Sequence, residues 1–536
     1  MPTAASTTFE GLLDRYFESV LADNPDYAAQ AGIASARGRL PRGGLQFEAR
    51  QERHRQRALA ELETISPRDL SAEQHLDRLA LRASLLHGTE DYARGRHTLD
   101  PSALDHVLGL LLHELQRGED EPALVAGYLR SLLRQTPTHL AAAATLLKNP
   151  EPVWLGIMAQ TAAGADTLFA AVATFLERTG PEPGDAARLA GAKKAFADYA
   201  AHAQSLAPAP AGSFAVGAAT VQRRVRDELG LDYTLGEVEA LAQSEAVRLG
   251  ELLTAACRPF GRKRTTEEIL ETARAEWDPG ADLLGVYRTE TARVADAFRA
   301  AGAVTFPADE TLEVRPVPEF MRHLFPTAAY SSPGAFETRQ RGVFWVNDLS
   351  VTKTTAAEQQ AERRQHFGLS LTCAHEAYPG HHLQFVTANR HPRKWRRLFA
   401  HAVFYEGWTL WCEQMMVDLR IDTSPWLAVQ QLHDALWRCH RILVDLRLQT
   451  GRYSYRQAVN HLRRHLGFTR ARAEGDVNWY TSSPTVPMSY WLGRLENERL
   501  RARLMTRRGW TLQQFNDWLI SHGTLPQAWI EKYGLD

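Results

Sequence analysis

A proline and a glycine inside the run His375-Glu376-Ala377-Tyr378-Pro379-Gly380-His381-His382 constrain this chain more than any other feature. Proline has no N–H to donate, and its ring collides with the carbonyl four residues back, here that of His375. A regular helix is therefore not expected to continue unbroken through position 379, and Gly380 adds backbone freedom at the same point. The run otherwise reads as a metal-site helix. In H-E-x-x-H, two His at i and i+4 share one face and bind zinc, and the Glu between them is the general base. Here position i+4 is Pro379, and the next His residues stand at i+6 and i+7. On an unbroken helix His382 would lie about 20° from His375 and His381 about 120° away. A bulge at Tyr378-Pro379-Gly380 would turn His381 back toward His375 instead, and such bulges often sit at functional sites. Spacing alone leaves both partners open.

A third ligand is offered by Glu406, 25 residues after His381, in Phe404-Tyr405-Glu406-Gly407-Trp408-Thr409-Leu410-Trp411-Cys412-Glu413. Two His and a downstream Glu, with the fourth position open to water, form the thermolysin-type catalytic set. Glu413 falls at i+7 from Glu406, on the same helix face, where it can accept the N–H of a ligand His. The plainer alternatives are a helix that ends at Pro-Gly, leaving His381 and His382 solvated, and a surface Glu413 paired with an Arg.

The segment His375–Gln384 resembles the H-E-x-x-P-G-H-x-x-Q signature of the family known as domain of unknown function 885. Glu406-Gly407-Trp408 with Glu413 resembles its E-G-W-x-x-Y-x-E. The resemblance extends to Phe9–Gly32, with its Asn24-Pro25 break, and to Tyr330-Ser331-Ser332-Pro333-Gly334 with Gly342–Asn347. It implies a zinc-metallopeptidase-like protein whose third ligand is a Glu, and it favours His381 over His382. Two departures stand out. In Arg438–Gln449 the positions of Arg438, Arg441 and Asp445 match, but Gln449 replaces a His and Arg447 a Gly. In Trp479–Gly493, Tyr480, Pro484, Tyr490 and Gly493 match, but Trp479, Thr485 and Val486 replace Arg, Gly and Gln. A kept zinc core with an altered pocket is the expectation.

Helical periodicity dominates the rest. Leu12, Leu13, Tyr16, Phe17 and Val20 follow an i, i+3/i+4 rhythm, as do Leu168, Val172, Phe175 and Leu176. Leu140–Leu147 and Ala186–Ala203 are Ala-rich helix formers. Asn149-Pro150-Glu151-Pro152 and Pro181-Glu182-Pro183-Gly184 are breaks. Ala207-Pro208-Ala209-Pro210-Ala211-Gly212 is the clearest linker, so residues 1–210 are expected to form an N-terminal helical region and 211–536 the metal-containing region, with a soft boundary. Leu312–Val317 and Val343–Val346 read as short strands. The second is expected to be either an edge strand that holds a peptide backbone or a buried core strand. Arg390–Arg397 is the strongest basic run and reads as a solvated connection between the two metal helices, the alternative being a patch that attracts a carboxylate-bearing substrate.

Net charge is −1, so nothing global points to nucleic acid or an anionic membrane. Met1-Pro2-Thr3-Ala4-Ala5-Ser6 lacks the basic and apolar regions of a leader, and no apolar run approaches the ~18 residues of a membrane span. Cys257, Cys373, Cys412 and Cys439 are scattered without metal spacing, and a cytoplasmic location is the simplest reading.

The expected fold is mainly α, a large helical zincin-like body with a deep cleft and a small β element beside the metal helix. The resemblance makes it similar to angiotensin-converting enzyme, thimet oligopeptidase and carboxypeptidase Taq. Zinc would be held by His375, His381 and Glu406, with Glu376 as general base. Related clefts make Tyr490 the first oxyanion donor, with Tyr480 and Arg494 behind it. Arg438 and Arg441 could bind a substrate carboxylate or a structural Asp such as Asp445. His382, Glu413, Gln449 and Asn347 complete the candidate surroundings. The expected activity is hydrolysis of an amide or peptide bond in a small peptide or amino-acid conjugate. The alternatives are a zinc enzyme of specialised metabolism doing non-peptide chemistry (cyclisation, elimination or rearrangement) and an inactive binding protein. The oligomeric state is left open.

Overall fold

The computed structural model describes residues 3–261, 263–317, 322 and 327–535. Met1 and Pro2, where the leader reading begins, lie outside the described residues. The chain is mainly α-helical and divides into two compact units, Met1–Val216 and Gly217–Asp536. The division falls slightly beyond the expected break after residue 210.

The first unit is helical throughout. Thr3 caps the entry helix Ala4–Asp23 by accepting the Ser6 N–H, and the helix buries Phe9, Leu12, Leu13 and Phe17 as one stripe. Pro25 stops it and opens the next helix, Pro25–Gln30, where a missing N–H costs nothing. The Ala-rich runs lie mostly within Pro122–Ala144 and Asp185–Ser205. One expectation is corrected. The helix Pro152–Thr179 is long and apolar enough to cross a membrane by length and composition. Its large side chains, among them Trp154, Met158, Phe169 and Phe175, are buried, while Gly156, Gln160, Ala163, Asp166, Thr167 and Ala170 face outward. Its apolar character comes mainly from the large side chains on the packed face and from alanines, while the outward face is small or polar, which is the pattern of a packed amphipathic helix.

In the second unit a capping box between Thr234 and Glu237 starts the helix Leu235–Cys257, which packs along Leu427–Gln449. That helix packs on Val486–Arg508, which in turn packs on Ala402–Asp418. The last pair meets glycine on glycine. A Cβ on Gly407 would come within 2.5 Å of the Gly493 carbonyl carbon, and one on Gly493 within 1.9 Å of the Val403 carbonyl oxygen. Only hydrogen fits at either position, so the two backbones close to contact there.

Three strands, β1 (Thr311–Pro316), β2 (Ala328–Ser331) and β3 (Arg341–Val346), form a sheet in the order β1-β3-β2. β3 runs parallel to β1 and antiparallel to β2, with Pro316 opposite Val346 and Tyr330 opposite Phe344. This overturns the edge-strand alternative. β3 is paired on both sides, with Phe344, Trp345 and Val346 buried, so it has no free edge for a peptide. Asn347, at its end, is fully buried and donates to the Arg322 carbonyl at 2.7 Å.

Candidate metal centre

The segment carrying the first His starts as the helical turn Leu369–Thr372 and widens into a π turn over Cys373–Ala377. Tyr378 leaves the helix (φ −125°, ψ 125°), as a residue before proline prefers. Gly380 then folds back onto the turn just left. A Cβ there would sit 1.8 Å from the His375 carbonyl oxygen and 2.4 Å from that of Ala374. A new helix, His381–Ala388, begins at once. The break thus brings His381 round to His375.

One donor atom each from His375, His381 and Glu406 lie within 4.8 Å of one another. Glu406 Oε2 is 3.7 Å from Nε2 of both imidazoles. The two rings are nearly perpendicular, at 84°, with centroids 5.0 Å apart. Glu413 accepts from His375 Nδ1 at 2.8 Å. That bond keeps the proton on Nδ1 and leaves the Nε2 lone pair facing Glu406.

Burial governs the electrostatics. It pushes His375 down to about 3, helped by the charges of Arg438 and Arg441, and holds His381 well below the usual range, so both rings are neutral donors. It pushes Glu376 up to about 8, reinforced by the nearby Glu406 and Glu413. Glu406 and Glu413 each rise to about 7 by burial, opposed at Glu406 by a Tyr490 hydrogen bond and at Glu413 by Arg438. Glu406 Oε2 and His381 Nδ1 are buried without a hydrogen-bond partner. Such orphaned atoms are rare in folded proteins. A divalent cation between Oε2 and the two Nε2 atoms would satisfy the carboxylate and favour the ionised form of all three Glu. The donor set, two neutral imidazoles and one carboxylate, is one that zinc takes.

Other candidates assemble around this triad. The Tyr490 hydroxyl hydrogen-bonds Glu406, a contact made possible by the Gly407–Gly493 approach. Arg438 lies 3.6 Å from Glu413 and 3.6 Å from Asp434. Arg441 is stacked on Trp437 and Tyr490 and does not pair with Asp445, which accepts the Met488 N–H. Tyr480 donates to Asp476 and reaches Arg441 rather than the triad.

Three candidates stand apart. His382 is fully buried, with Nε2 2.6 Å from Glu310 and Nδ1 3.0 Å from the Tyr330 hydroxyl. The straight-helix pairing of His382 with His375 is therefore not formed. Gln449 is fully buried and donates to the Tyr480 carbonyl at 2.7 Å, which ties the helix Leu427–Gln449 to the helix Arg470–Ser482. Arg494 lies over Trp411 and donates to Glu498. The basic run is solvated only in part: Lys394 is exposed, whereas Arg396 is fully buried and donates to the His522 carbonyl.

Two residues near the triad were not singled out from sequence. Tyr330 of β2 stacks on His381, centroids 6.5 Å apart at 13°, and Glu310 anchors His382. Tyr330 lay within the family-like segment before the metal helix. Glu310, in a polar stretch, carried no signal.

No curated protein matches this chain. Among solved structures, a candidate lipoprotein of unknown function from Shewanella oneidensis superposes with a TM-score of 0.78 at 19% identity, covering 98% of this chain and 100% of that one. A candidate lipoprotein from Colwellia psychrerythraea gives 0.73 at 15% identity, covering 99% of each. At these identities the likeness speaks for the fold alone. Residues 25–533, which include all three triad residues and Tyr490, match the family described as bacterial protein of unknown function, DUF885, and the chain belongs to that family.

Proposed function

We propose that this chain is a zinc-dependent hydrolase that cleaves an amide or peptide bond in a small peptide or amino-acid conjugate. The observation that carries the reading is the convergence of His375, His381 and Glu406 from the two sides of Pro379-Gly380 and from a separate helix. These three would hold the metal, which when bound supplies a Lewis acid and lowers the pKa of a coordinated water toward ~7.

Glu376 follows His375 on the π turn and keeps partial solvent contact. It takes the proton of the attacking water and passes it to the leaving amine. A carboxyl whose pKa lies near neutrality suits both transfers. Glu413 keeps His375 in the ligand tautomer. Tyr490 brings a hydroxyl to the same place and is the leading donor to the oxyanion. Under this reading the helical body is zincin-like, with the substrate cleft over the triad and the sheet beside it through Tyr330.

The substrate is a small molecule or short peptide, in keeping with a net charge of −1. A cytoplasmic location accompanies the reading, supported by four buried, unpaired cysteines. The lipoprotein descriptions of the two structural neighbours point the other way, and cell fractionation distinguishes them.

The test is metal analysis followed by a substrate screen. Purified protein should hold about one zinc per chain. Products should together outweigh the substrate by one water. Failure to retain zinc after reconstitution would sink the proposal. Turnover without gain of water would favour the non-hydrolytic zinc enzyme.

A further inference from the structure

Three arginines gather on Trp437: Cζ of Arg441 at 4.1 Å from the ring centroid, of Arg438 at 4.3 Å and of Arg472 at 5.0 Å. Arg438 has carboxylates beside it, Glu413 and Asp434. Arg441 differs. Among the described residues it forms no ion pair with any carboxylate; its Nε, like that of Arg438, is buried without a hydrogen-bond partner, and only 6% of the residue is exposed. Negative charge reaches it at one remove, through a hydrogen bond with Tyr480, whose hydroxyl donates to Asp476 at 2.9 Å. The rest of its surroundings are aromatic, with Tyr490 at 4.6 Å and Trp479 at 5.2 Å.

A guanidinium does not give up its proton in a protein, so Arg441 stays charged. Withdrawing that charge from water is costly unless an anion meets it, and cation–π contacts offset only part of the cost. The carboxylates nearby are already committed. Glu413 holds His375, Glu406 holds Tyr490 and faces both imidazoles, and Asp476 takes the Trp437 indole N–H and the Tyr480 hydroxyl. The counter-charge that fits is a carboxylate from outside, because the planar fork of a guanidinium matches its two oxygens.

We infer that Arg441 anchors a free carboxylate of the substrate. The inference rests on the hydrolase reading for what happens at the triad and adds the substrate class, a short peptide or amino-acid conjugate that keeps an ionised carboxylate. Tyr490 sets the spacing: its ring lies against Arg441 and its hydroxyl on Glu406. One tyrosine thus separates the anchor from the metal ligands, and a single short molecule spans both. Trp479 and Tyr490 keep partial solvent contact, which gives the carboxylate a way in.

The experiment is calorimetric titration of the full chain, zinc-loaded and after chelation, with N-benzoylglycine and N-benzoylglycinamide. The probes differ only in carboxylate against amide, and chelation removes any binding of the acid to metal. The acid should bind the chelated protein on the order of tenfold or more tighter than the amide. That preference should disappear in Arg441→Gln. Should this variant not fold, Arg441→Lys, which keeps the charge but loses the fork, should reduce the preference. No binding of the acid, equal affinity for the two probes, or a preference unchanged in the Arg441 variants overturns the anchor. A chain that prefers the acid but never retains zinc would sink the hydrolase reading and leave the anchor standing.

Discussion

Replacing Gly493 with Ala should loosen the triad without altering any ligand. The new Cβ would lie 1.9 Å from the Val403 carbonyl oxygen and 3.0 Å from the Gly407 Cα. To reach ordinary contact it must move out by more than about 1 Å. Both opposing groups are backbone, so no side chain can swing aside, and the helices Ala402–Asp418 and Val486–Arg508 must part. Overpacking costs about 1–3 kcal/mol, and the rigid surroundings place this case near ~3. Parting these helices also pulls the Tyr490 hydroxyl from Glu406, and losing a partner of a ligand typically weakens metal binding by about 10–100-fold. Urea unfolding followed by tryptophan fluorescence is a suitable assay. Of the thirteen tryptophans only Trp154 lies outside residues 217–536, so the signal reports on the unit that carries the site. A loss of ~3 kcal/mol lowers the midpoint by roughly 1 M. Gly475→Ala is the control. Gly475 is exposed within the helix Arg470–Ser482 with nothing within 4 Å of a Cβ, and the change should stabilise by about 0.5–1 kcal/mol. A Gly493→Ala protein with wild-type midpoint and zinc affinity would refute the glycine-contact argument.

His381→Ala should empty the metal site, whereas His382→Ala should leave zinc bound and cost stability because Glu310 keeps only its Tyr378 partner; the opposite order in metal content would restore the straight-helix pairing. Glu376→Gln should retain zinc and fold but lose turnover by roughly 10²–10⁴-fold, and an active, metal-loaded variant would remove Glu376 from its role. Glu413→Ala should weaken zinc by about 10–100-fold, measured by competition with a chromophoric chelator, because His375 Nδ1 loses its acceptor; unchanged affinity would make Glu413 a bystander. Turnover of a broad dipeptide panel should be weak, since Trp479, an aromatic where the family-like pattern leads one to expect Arg, packs edge-on to Tyr490 at 6.1 Å; rapid cleavage of many ordinary peptides would place that replacement outside the pocket.

Much of the site was legible because its chemistry is local. The His-Glu pair, the Pro-Gly break and the Glu-Gly-Trp segment are short-range features. Proline followed by glycine strongly disfavours a regular helix at that point, although a lone proline is accommodated inside the helix Pro122–Ala144 at Pro137. Glu413 was within reach because it shares a helix face with Glu406, and that helix forms as its composition suggests. Residues that act across long sequence separations were less visible. Gln449 and Arg494 looked like pocket groups by family position, yet each satisfies a hydrogen bond in the packing between or along helices. Glu310 gave no local sign of serving His382, 72 positions away.

The amino-acid order settles where helices start and stop, because caps, prolines and apolar stripes act within a few residues. It also settles which residues can ligate a metal. It leaves open which of two adjacent imidazoles turns toward His375, because the rotation after a break is not set by the residues that make it. The fold decides that through the packing of Gly380 against the His375 and Ala374 carbonyls and the capture of His382 by Glu310 and Tyr330. It likewise decides that β3 is central, because the four-residue strand β2 acquires its place only by pairing. Gly407 and Gly493 complete the division. Each is an ordinary helical glycine in the sequence, and only the contact between their two helices makes hydrogen the sole side chain that fits, bringing Tyr490 to Glu406.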